Sequence, residues 1–154
     1  MKTNLLKGAG CLLLLGLSVQ AQTEESKCTN ETLKGSYGLL LTGSRPTPVV
    51  PPGQAGYVGQ MEQVAGIVVQ TFDGKGNFTQ VDNVKGTISG LAPDRPGRGT
   101  YTVNPDCSVT QVVMPMPGLQ VVSKGVIVDG GKEFRQVTVS PDLINVVTLG
   151  RKIN

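Results

Sequence analysis

The 154-residue chain contains no histidine and no tryptophan, and only three tyrosines and three phenylalanines. Without histidine it lacks the commonest general base near neutral pH and the commonest zinc ligand. A Ser-His-Asp triad, a His-paired cysteine nucleophile and histidine-bound haem are therefore excluded. Without tryptophan, a carbohydrate-binding surface built on ring stacking has little support. We expect no metal and no cofactor.

The chain also has little net charge and no long apolar run. Residues 22–154 carry 12 Lys and Arg against 11 Asp and Glu, whereas nucleic-acid binders cluster Lys and Arg to neutralise phosphates. The closest cluster, Arg95 with Arg98, lies among Pro and Gly and is interpreted as a mobile loop. The apolar stretch from Leu12 to Val19 is shorter than the roughly 20 residues that cross a bilayer. We expect no nucleic-acid partner and no transmembrane segment; the composition does not address the oligomeric state.

The N-terminus has the pattern of an export signal. Two lysines precede the apolar run from Cys11 to Val19, and small residues follow up to Ala21. This pattern predicts a signal peptide over residues 1–21, cleaved after Ala21, and a single domain over residues 22–154. The expected location is secreted or periplasmic.

Two cysteines, Cys28 and Cys107, remain after this cleavage. An even number of cysteines in an exported chain indicates a disulfide. The alternative is a pair of buried free thiols.

Short runs rich in Val, Ile, Thr, Tyr and Phe recur between Gly, Pro, Asn and Asp, and helical periodicity is absent beyond a single turn near Thr29 to Leu33. This pattern is typical of many short strands. Sequential strands with short links predict an all-β, antiparallel up-and-down β-barrel of about eight strands, with a β-sandwich as the alternative. The predicted strands cover residues 33–42, 63–72, 77–84, 99–103, 108–114, 119–123, 125–128, 134–139 and 144–149.

Two hairpins are the clearest local predictions. The turn Asp73-Gly74-Lys75-Gly76 joins the strands predicted over residues 63–72 and 77–84. The turn Asp129-Gly130-Gly131-Lys132 joins those predicted over residues 125–128 and 134–139. The first turn resembles half of a calcium loop, but it has one carboxylate where such loops alternate several, which favours a simple turn. Around the second turn, apolar residues alternate with period two and are expected to face the core: Val126, Val128, Val137 and Val139.

Polar residues in mid-strand either point into the barrel or lie on the outer face of an alternating strand, and the outer face is favoured for the set as a whole. The set comprises Gln70, Gln80, Gln111, Gln136 and Asn145. Gln70 is the candidate ligand-binding residue, because it shares a face with Val64, Val68 and Phe72.

Two tyrosines complete the candidate ligand-binding residues. Tyr57 follows the Pro-rich segment from Arg45 to Gly53, which is either a lid or partner contact or a passive surface loop. The whole stretch from Gly43 to Gly56 is predicted as loop, because its prolines cannot donate to a ladder. Tyr101 is either a ligand contact or a core anchor.

Three carboxylates, Glu62, Asp82 and Glu133, lie in or beside predicted strands. A pair of carboxylates could support glycoside hydrolysis, but their spacing suggests no pair. A solvated outer face or strand end is favoured, because charged residues are rarely buried unpaired.

Three local patterns occur in a familiar order: Cys28 with Leu33-Lys34-Gly35-Ser36-Tyr37-Gly38, then residues 72–78, then residues 99–107 ending in Cys107. The chain resembles small secreted bacterial proteins of unknown function, whose β-barrels are similar to the allene oxide cyclase or calycin type. The resemblance implies a barrel with an interior cavity. It assigns no ligand, and no catalytic residue of the cyclases matches a position in this chain.

Together these features favour an exported, non-enzymatic β-barrel that binds a small apolar ligand or an envelope partner. One alternative is an enzyme of the cyclase or isomerase type that uses carboxylate, Tyr or Lys chemistry inside the barrel. Another is a structural protein of the envelope or matrix. A barrel interior packed solid with aliphatic side chains would exclude both ligand binding and catalysis inside it.

Overall fold

The computed structural model describes residues 27–48, 55–116 and 118–153. Each strand pairs antiparallel with the next, and the last pairs with the first, so the sheet closes into a barrel. The predicted all-β up-and-down barrel is confirmed, whereas the predicted signal peptide lies outside the described residues. The strands are β1 (Gly35–Pro46), β2 (Met61–Phe72), β3 (Asn77–Gly86), β4 (Gly90–Val103), β5 (Ser108–Met116), β6 (Leu119–Val128), β7 (Glu133–Ser140) and β8 (Asn145–Lys152).

The turn between β2 and β3 forms as predicted. Asp73 Oδ1 accepts the backbone N–H groups of Lys75 at 2.7 Å and of Asn77 at 2.9 Å, which closes the turn with a local side-chain bond. Hydrogen bonds from the side chain and backbone of Asn77 and from the backbone of Lys75 lower the pKa of Asp73 to about 2. The hydrogen bonds of the Asp73 carboxylate are therefore made within the turn.

Two segments predicted as loops belong to strands. Pro46 ends β1 and pairs only with β2, because the pairing of β1 with β8 stops at Ser44. Arg95 lies on β4 opposite Asp82, and the pairing of β4 with β5 begins only at Arg98. Both segments are thus hydrogen-bonded along one side, where proline is tolerated because no second ladder requires its missing N–H. The interpretation of Arg95 and Arg98 as a mobile loop is wrong.

The β6–β7 hairpin forms, but its faces are reversed from the prediction. Val126, Val137 and Val139 are 44%, 40% and 41% exposed and lie on the outer surface, and Val128 is half-buried. Ile127 and Phe134 occupy the interior instead. The regular apolar row of β7, Val137 and Val139, lies on the outer surface, whereas the inward face carries Phe134 and Gln136. Alternation therefore indicates the wrong face here, and the fully buried Phe134 ring marks the inward one. The predicted strands 119–123 and 125–128 are also one strand, β6.

Five aromatic rings fill one end of the barrel, which we call the closed end: Tyr37, Phe72, Phe78, Tyr101 and Phe134. Ring centroids within this cluster lie 4.9 to 5.8 Å apart, with edge-on and tilted contacts typical of aromatic packing. Two hydroxyls find backbone acceptors: Tyr37 donates to the carbonyl of Gly131 and Tyr101 to that of Asn30. The cluster is the main core of the protein.

The segment before β1 covers the closed end. A 3₁₀ turn forms over Asn30–Leu33, close to the predicted turn, and buries Leu33 completely against the core. The predicted disulfide between Cys28 and Cys107 is present, with the two Cα atoms 5.0 Å apart. It ties this segment to the link between β4 and β5. No helix in the described part of the chain has the length and apolar character needed to cross a bilayer.

Candidate functional site

The half of the barrel opposite the closed end is hollow. It contains a cavity of about 180 Å³, which we call the lumen cavity. Aliphatic side chains form most of its wall: Leu39, Leu41, Val64, Val68, Val84, Val113, Val121 and Val146. At the strand ends, which we call the mouth, the cavity is bordered by Pro46, Pro48, Pro115, Leu119 and Ile144.

Four glutamines form the floor of the lumen cavity, and we call them the glutamine layer: Gln70, Gln80, Gln111 and Gln136. Gln70, Gln80 and Gln136 are each two residues from a buried phenylalanine on the same strand. Because side chains two residues apart share a face of a strand, these three glutamines lie next to the aromatic cluster and point inward with it. Gln70, Gln111 and Gln136 are only 1%, 0% and 8% exposed. The inward direction predicted for Gln70 is confirmed.

For the other polar residues in mid-strand, the favoured outer position holds only for Asn145, which is exposed. It is wrong for Gln80, Gln111 and Gln136. The signal that would have found them is their shared spacing of two from a residue that belongs in the core: Phe78, Val109 and Phe134 respectively.

A chain of polar contacts runs along one wall into the glutamine layer. Arg95 Nε donates to Asp82 Oδ1 at 2.8 Å, and Gln80 Nε2 donates to Asp82 Oδ2 at 3.2 Å. Gln70 Nε2 then donates to Gln80 Oε1 and to Gln111 Oε1, both at 3.3 Å. The chain therefore connects a charged pair on β3 and β4 to amides on β2 and β5.

Three buried amide atoms in this layer have no hydrogen-bond partner among the described residues. They are Gln70 Oε1, Gln111 Nε2 and Gln136 Oε1. A buried polar group without a partner is destabilising by about 1–3 kcal/mol, and such groups are few in native proteins. Three of them along one cavity indicate a place where a bound molecule would complete the hydrogen bonding.

A second buried carboxylate, Glu62, lies near the mouth. It is 1% exposed and accepts hydrogen bonds from Ser89 N at 2.9 Å, Ser89 Oγ at 2.8 Å, Ile88 N at 3.2 Å and Arg45 Nε at 3.1 Å. Burial works to raise the pKa of Glu62, but the bonds from Ser89, Arg45 and Ile88 outweigh it and lower the pKa below its ordinary value. Glu62 thereby joins the β3–β4 link to Arg45, which lines the cavity.

The outer positions favoured for Glu62 and Asp82 are therefore wrong: both carboxylates are buried, each beside an arginine. Only Glu133 fits the favoured interpretation, at a strand end and paired with Arg135 at 2.7 Å. Charge neutralisation by the arginines explains how carboxylates can stand inside the barrel.

The two candidate tyrosines lie elsewhere. Tyr57 is 48% exposed and, within the described residues, does not line the lumen cavity. Tyr101 is buried in the aromatic cluster beneath the cavity, which matches the core-anchor alternative. Tyr37 packs in the same cluster, and burial, followed by the nearby Tyr101, raises its pKa to about 12. The tyrosine hydroxyls at the closed end are thus neutral structural donors.

The described residues contain no group of three or more acidic or cysteine side chains placed to hold a metal ion. Comparison of the chain with models of protein families, with curated proteins and with solved structures gives no match. The resemblance to calycin-like and allene oxide cyclase-like barrels accordingly stays a prediction.

Proposed function

We propose that this protein binds a small, largely apolar molecule inside its barrel. The observation that carries the proposal is the lumen cavity: a hollow of about 180 Å³ with a mostly aliphatic wall, a floor of glutamine side chains and a border at the strand ends. Binding sites for small molecules are typically concave and apolar, with few polar groups that set orientation. An engineered apolar cavity of about 150 Å³ is large enough for benzene, so the size suits a molecule built on one ring or a short branched chain.

The proposal includes export from the cytoplasm. The Cys28–Cys107 disulfide and the lack of a membrane-spanning helix in the described residues are compatible with export. The sequence pattern of residues 1–21 supports it independently. N-terminal sequencing of the protein recovered from its host tests this part: the expected first residue is Gln22, and an intact Met1 in the recovered protein would contradict it.

Toluene is a suitable probe for the cavity, because it is apolar and has one ring. A ligand that binds only the folded state raises the free energy of unfolding as its concentration rises. We expect toluene to raise the midpoint of urea unfolding of the wild-type protein. The comparison uses two variants of adjacent residues on β2: Val68→Phe, which places a ring in the cavity, and Val69→Phe, which places it on the outer surface.

Val68→Phe should abolish the stabilisation by toluene, whereas Val69→Phe should retain it. If the wild-type protein is not stabilised, or if the two variants respond alike, the proposal is wrong. Native mass spectrometry of protein purified from its own host then seeks the natural ligand as a co-purifying mass.

A second candidate, an isomerase or cyclase acting in the same cavity, is favoured by Asp82, which is a carboxylate on the cavity wall. Each of its oxygens already accepts one hydrogen bond, from Arg95 and from Gln80. These partners hold both carboxylate oxygens in place, which supports a positioning role better than proton transfer. Recovery of a co-purified ligand in two isomeric forms, only in the presence of Asp82, would favour the enzyme instead.

A further inference from the structure

We infer that the lumen cavity selects ligands that carry a neutral primary carboxamide, or a group with the same hydrogen-bonding pattern, next to their apolar part. This inference rests on the proposed function and names the polar half of the ligand. It follows from the direction of the hydrogen bonds in the glutamine layer and from the atoms that those bonds leave over.

Asp82 sets the direction of the chain. An ionised carboxylate only accepts hydrogen bonds, so the amide of Gln80 must turn its NH₂ group toward Asp82 Oδ2, as it does at 3.2 Å. The carbonyl of Gln80 then faces Gln70, whose NH₂ group donates to it. Gln70 uses its second N–H on Gln111 Oε1. The charge of Asp82 thus fixes the orientation of the Gln80 amide, which fixes that of Gln70, which in turn fixes that of Gln111.

This ordering decides which atoms are left for a ligand. The NH₂ group of Gln70 is fully used, so the free atom of Gln70 is its carbonyl oxygen; Gln111 accepts through its carbonyl, so its free atom is the amide nitrogen. Gln136 stands outside this ordered chain, and its buried Oε1 is a second acceptor without a partner among the described residues. The cavity therefore offers two acceptors and one donor, all on side chains at least nine-tenths buried.

A primary carboxamide has the complementary set: two N–H donors and one carbonyl acceptor on a single planar group. A ligand without such a group would leave buried acceptors and a buried donor unpaired, which weakens its binding. A carboxylate ligand has no donor for the two free carbonyl oxygens, and it would share the cavity with the negative Asp82. The two arginines in the cavity lining are already paired, Arg95 with Asp82 at 2.8 Å and Arg45 with Glu62 at 3.1 Å, so neither supplies uncompensated positive charge for a carboxylate.

Three probes of similar size separate these cases: toluene, benzamide and benzoate. We expect wild-type protein to bind benzamide at least about tenfold more tightly than toluene, in titrations followed by calorimetry, and to bind benzoate more weakly than benzamide. On binding of benzamide, the side-chain NH₂ signal of Gln111 should shift in two-dimensional ¹H–¹⁵N NMR spectra. This last measurement uses the unaltered protein and does not depend on any variant folding.

Variants assign the preference to the glutamine layer. Gln111→Leu should remove the preference for benzamide but keep toluene binding. The matched control is Gln63→Leu, which alters an exposed glutamine of β2 and should leave both affinities unchanged. Asp82→Asn tests the positioning role: an asparagine amide no longer dictates the orientation of Gln80, so the ratio of benzamide to toluene affinity should fall while toluene still binds.

The outcomes separate the two proposals. If toluene binds and benzamide binds no more tightly, the glutamine layer is satisfied by solvent and the carboxamide inference is wrong, while the proposed function stands. If Gln111→Leu keeps the benzamide preference, the inference is also wrong. If neither toluene nor benzamide binds the wild-type protein, the proposed function fails as well.

Discussion

Single residues inside this barrel show how buried charges are paired. Glu62 and Asp82 point inward, and each has an arginine and at least one further donor. An unpaired carboxylate at these positions would be strongly destabilising. The pairing makes both residues sensitive to substitution of either partner, because the remaining charge would be left buried.

Replacement of Glu62 by glutamine should lower the stability of the protein at neutral pH. Because the folded-state pKa of Glu62 is lowered, its contribution to stability is fully present above its ordinary pKa of 4.5 and is lost as the pH falls through the lowered value. Glu62→Gln should reduce the free energy of urea unfolding at pH 7 by about 2 kcal/mol, since it removes a charged acceptor of four hydrogen bonds. Between pH 4.5 and more acidic values, the variant should lose less stability than the wild type.

The control for this experiment is Glu133→Gln, whose side chain is 29% exposed and pairs with Arg135 near the surface. We expect it to change stability at pH 7 by less than about 1 kcal/mol. Equal losses in the two variants, or a wild-type acid transition that Glu62→Gln leaves unchanged, would contradict the assignment of Glu62 as a stabilising buried carboxylate.

At the scale of strands, glycine makes room for the glutamine layer. Gly97 on β4 lies opposite Gln80 on β3, and Gly125 on β6 lies opposite Gln136 on β7. A Cβ at Gly97 would stand 2.9 Å from Gln80 Cγ, and one at Gly125 would collide with the backbone oxygen of Arg135. The inward glycines thus permit close approach of the neighbouring strand.

Alanine at these two glycines should have different effects. Gly97→Ala meets the flexible part of a side chain, so Gln80 can move and the stability loss should stay below about 1 kcal/mol. Gly125→Ala meets backbone, so β6 and β7 must separate locally, and we expect a loss of about 1–3 kcal/mol. Urea unfolding measures both, and a larger loss for Gly97→Ala would contradict this account.

The whole molecule is divided into a solid half and a hollow half. The aromatic cluster, the 3₁₀ turn and the disulfide occupy the closed end, whereas the lumen cavity occupies the other. Most of the stabilising apolar burial therefore lies away from the cavity. The fold therefore does not depend on side chains filling the mouth half.

The double variant Cys28→Ala, Cys107→Ala tests this division. The disulfide closes a loop with a sequence separation of 79 residues, so its loss should lower the free energy of unfolding by about 4 kcal/mol in the chain-entropy model. Under conditions in which the variant is folded, its affinity for toluene should equal that of the wild type, because the disulfide lies at the closed end. An unchanged stability, or a changed affinity in the folded variant, would contradict the division.

The sequence favoured a barrel over a sandwich and a disulfide over free thiols, but closure of the sheet and the distant cysteine pair were decided by the tertiary structure. By itself the sequence determined the all-β class, the two hairpin turns and the single turn before β1. These features follow from local chemistry, since turn residues such as Asp73 and Gly74 act within a few positions and period-two runs define strands without reference to their neighbours. The inward direction of Gln70 was accessible in the same way, because Val64, Val68 and Phe72 share its face.

Only the tertiary structure decided which face of the remaining strands points inward. In β7 the regular apolar alternation runs along the outer face, and the inward face is set by the Phe134 ring, which packs against rings from other strands. The same holds for Asp82 and Arg95. The sequence favours a solvated face for the first and a loop for the second, and the register of β3 and β4 makes them an ion pair in which Asp82 is buried and Arg95 is half-buried. The glutamine layer combines residues up to 66 positions apart on four strands, Gln70 to Gln136, and only closure of the barrel brings them to one cavity, because local periodicity carries no information about distant partners.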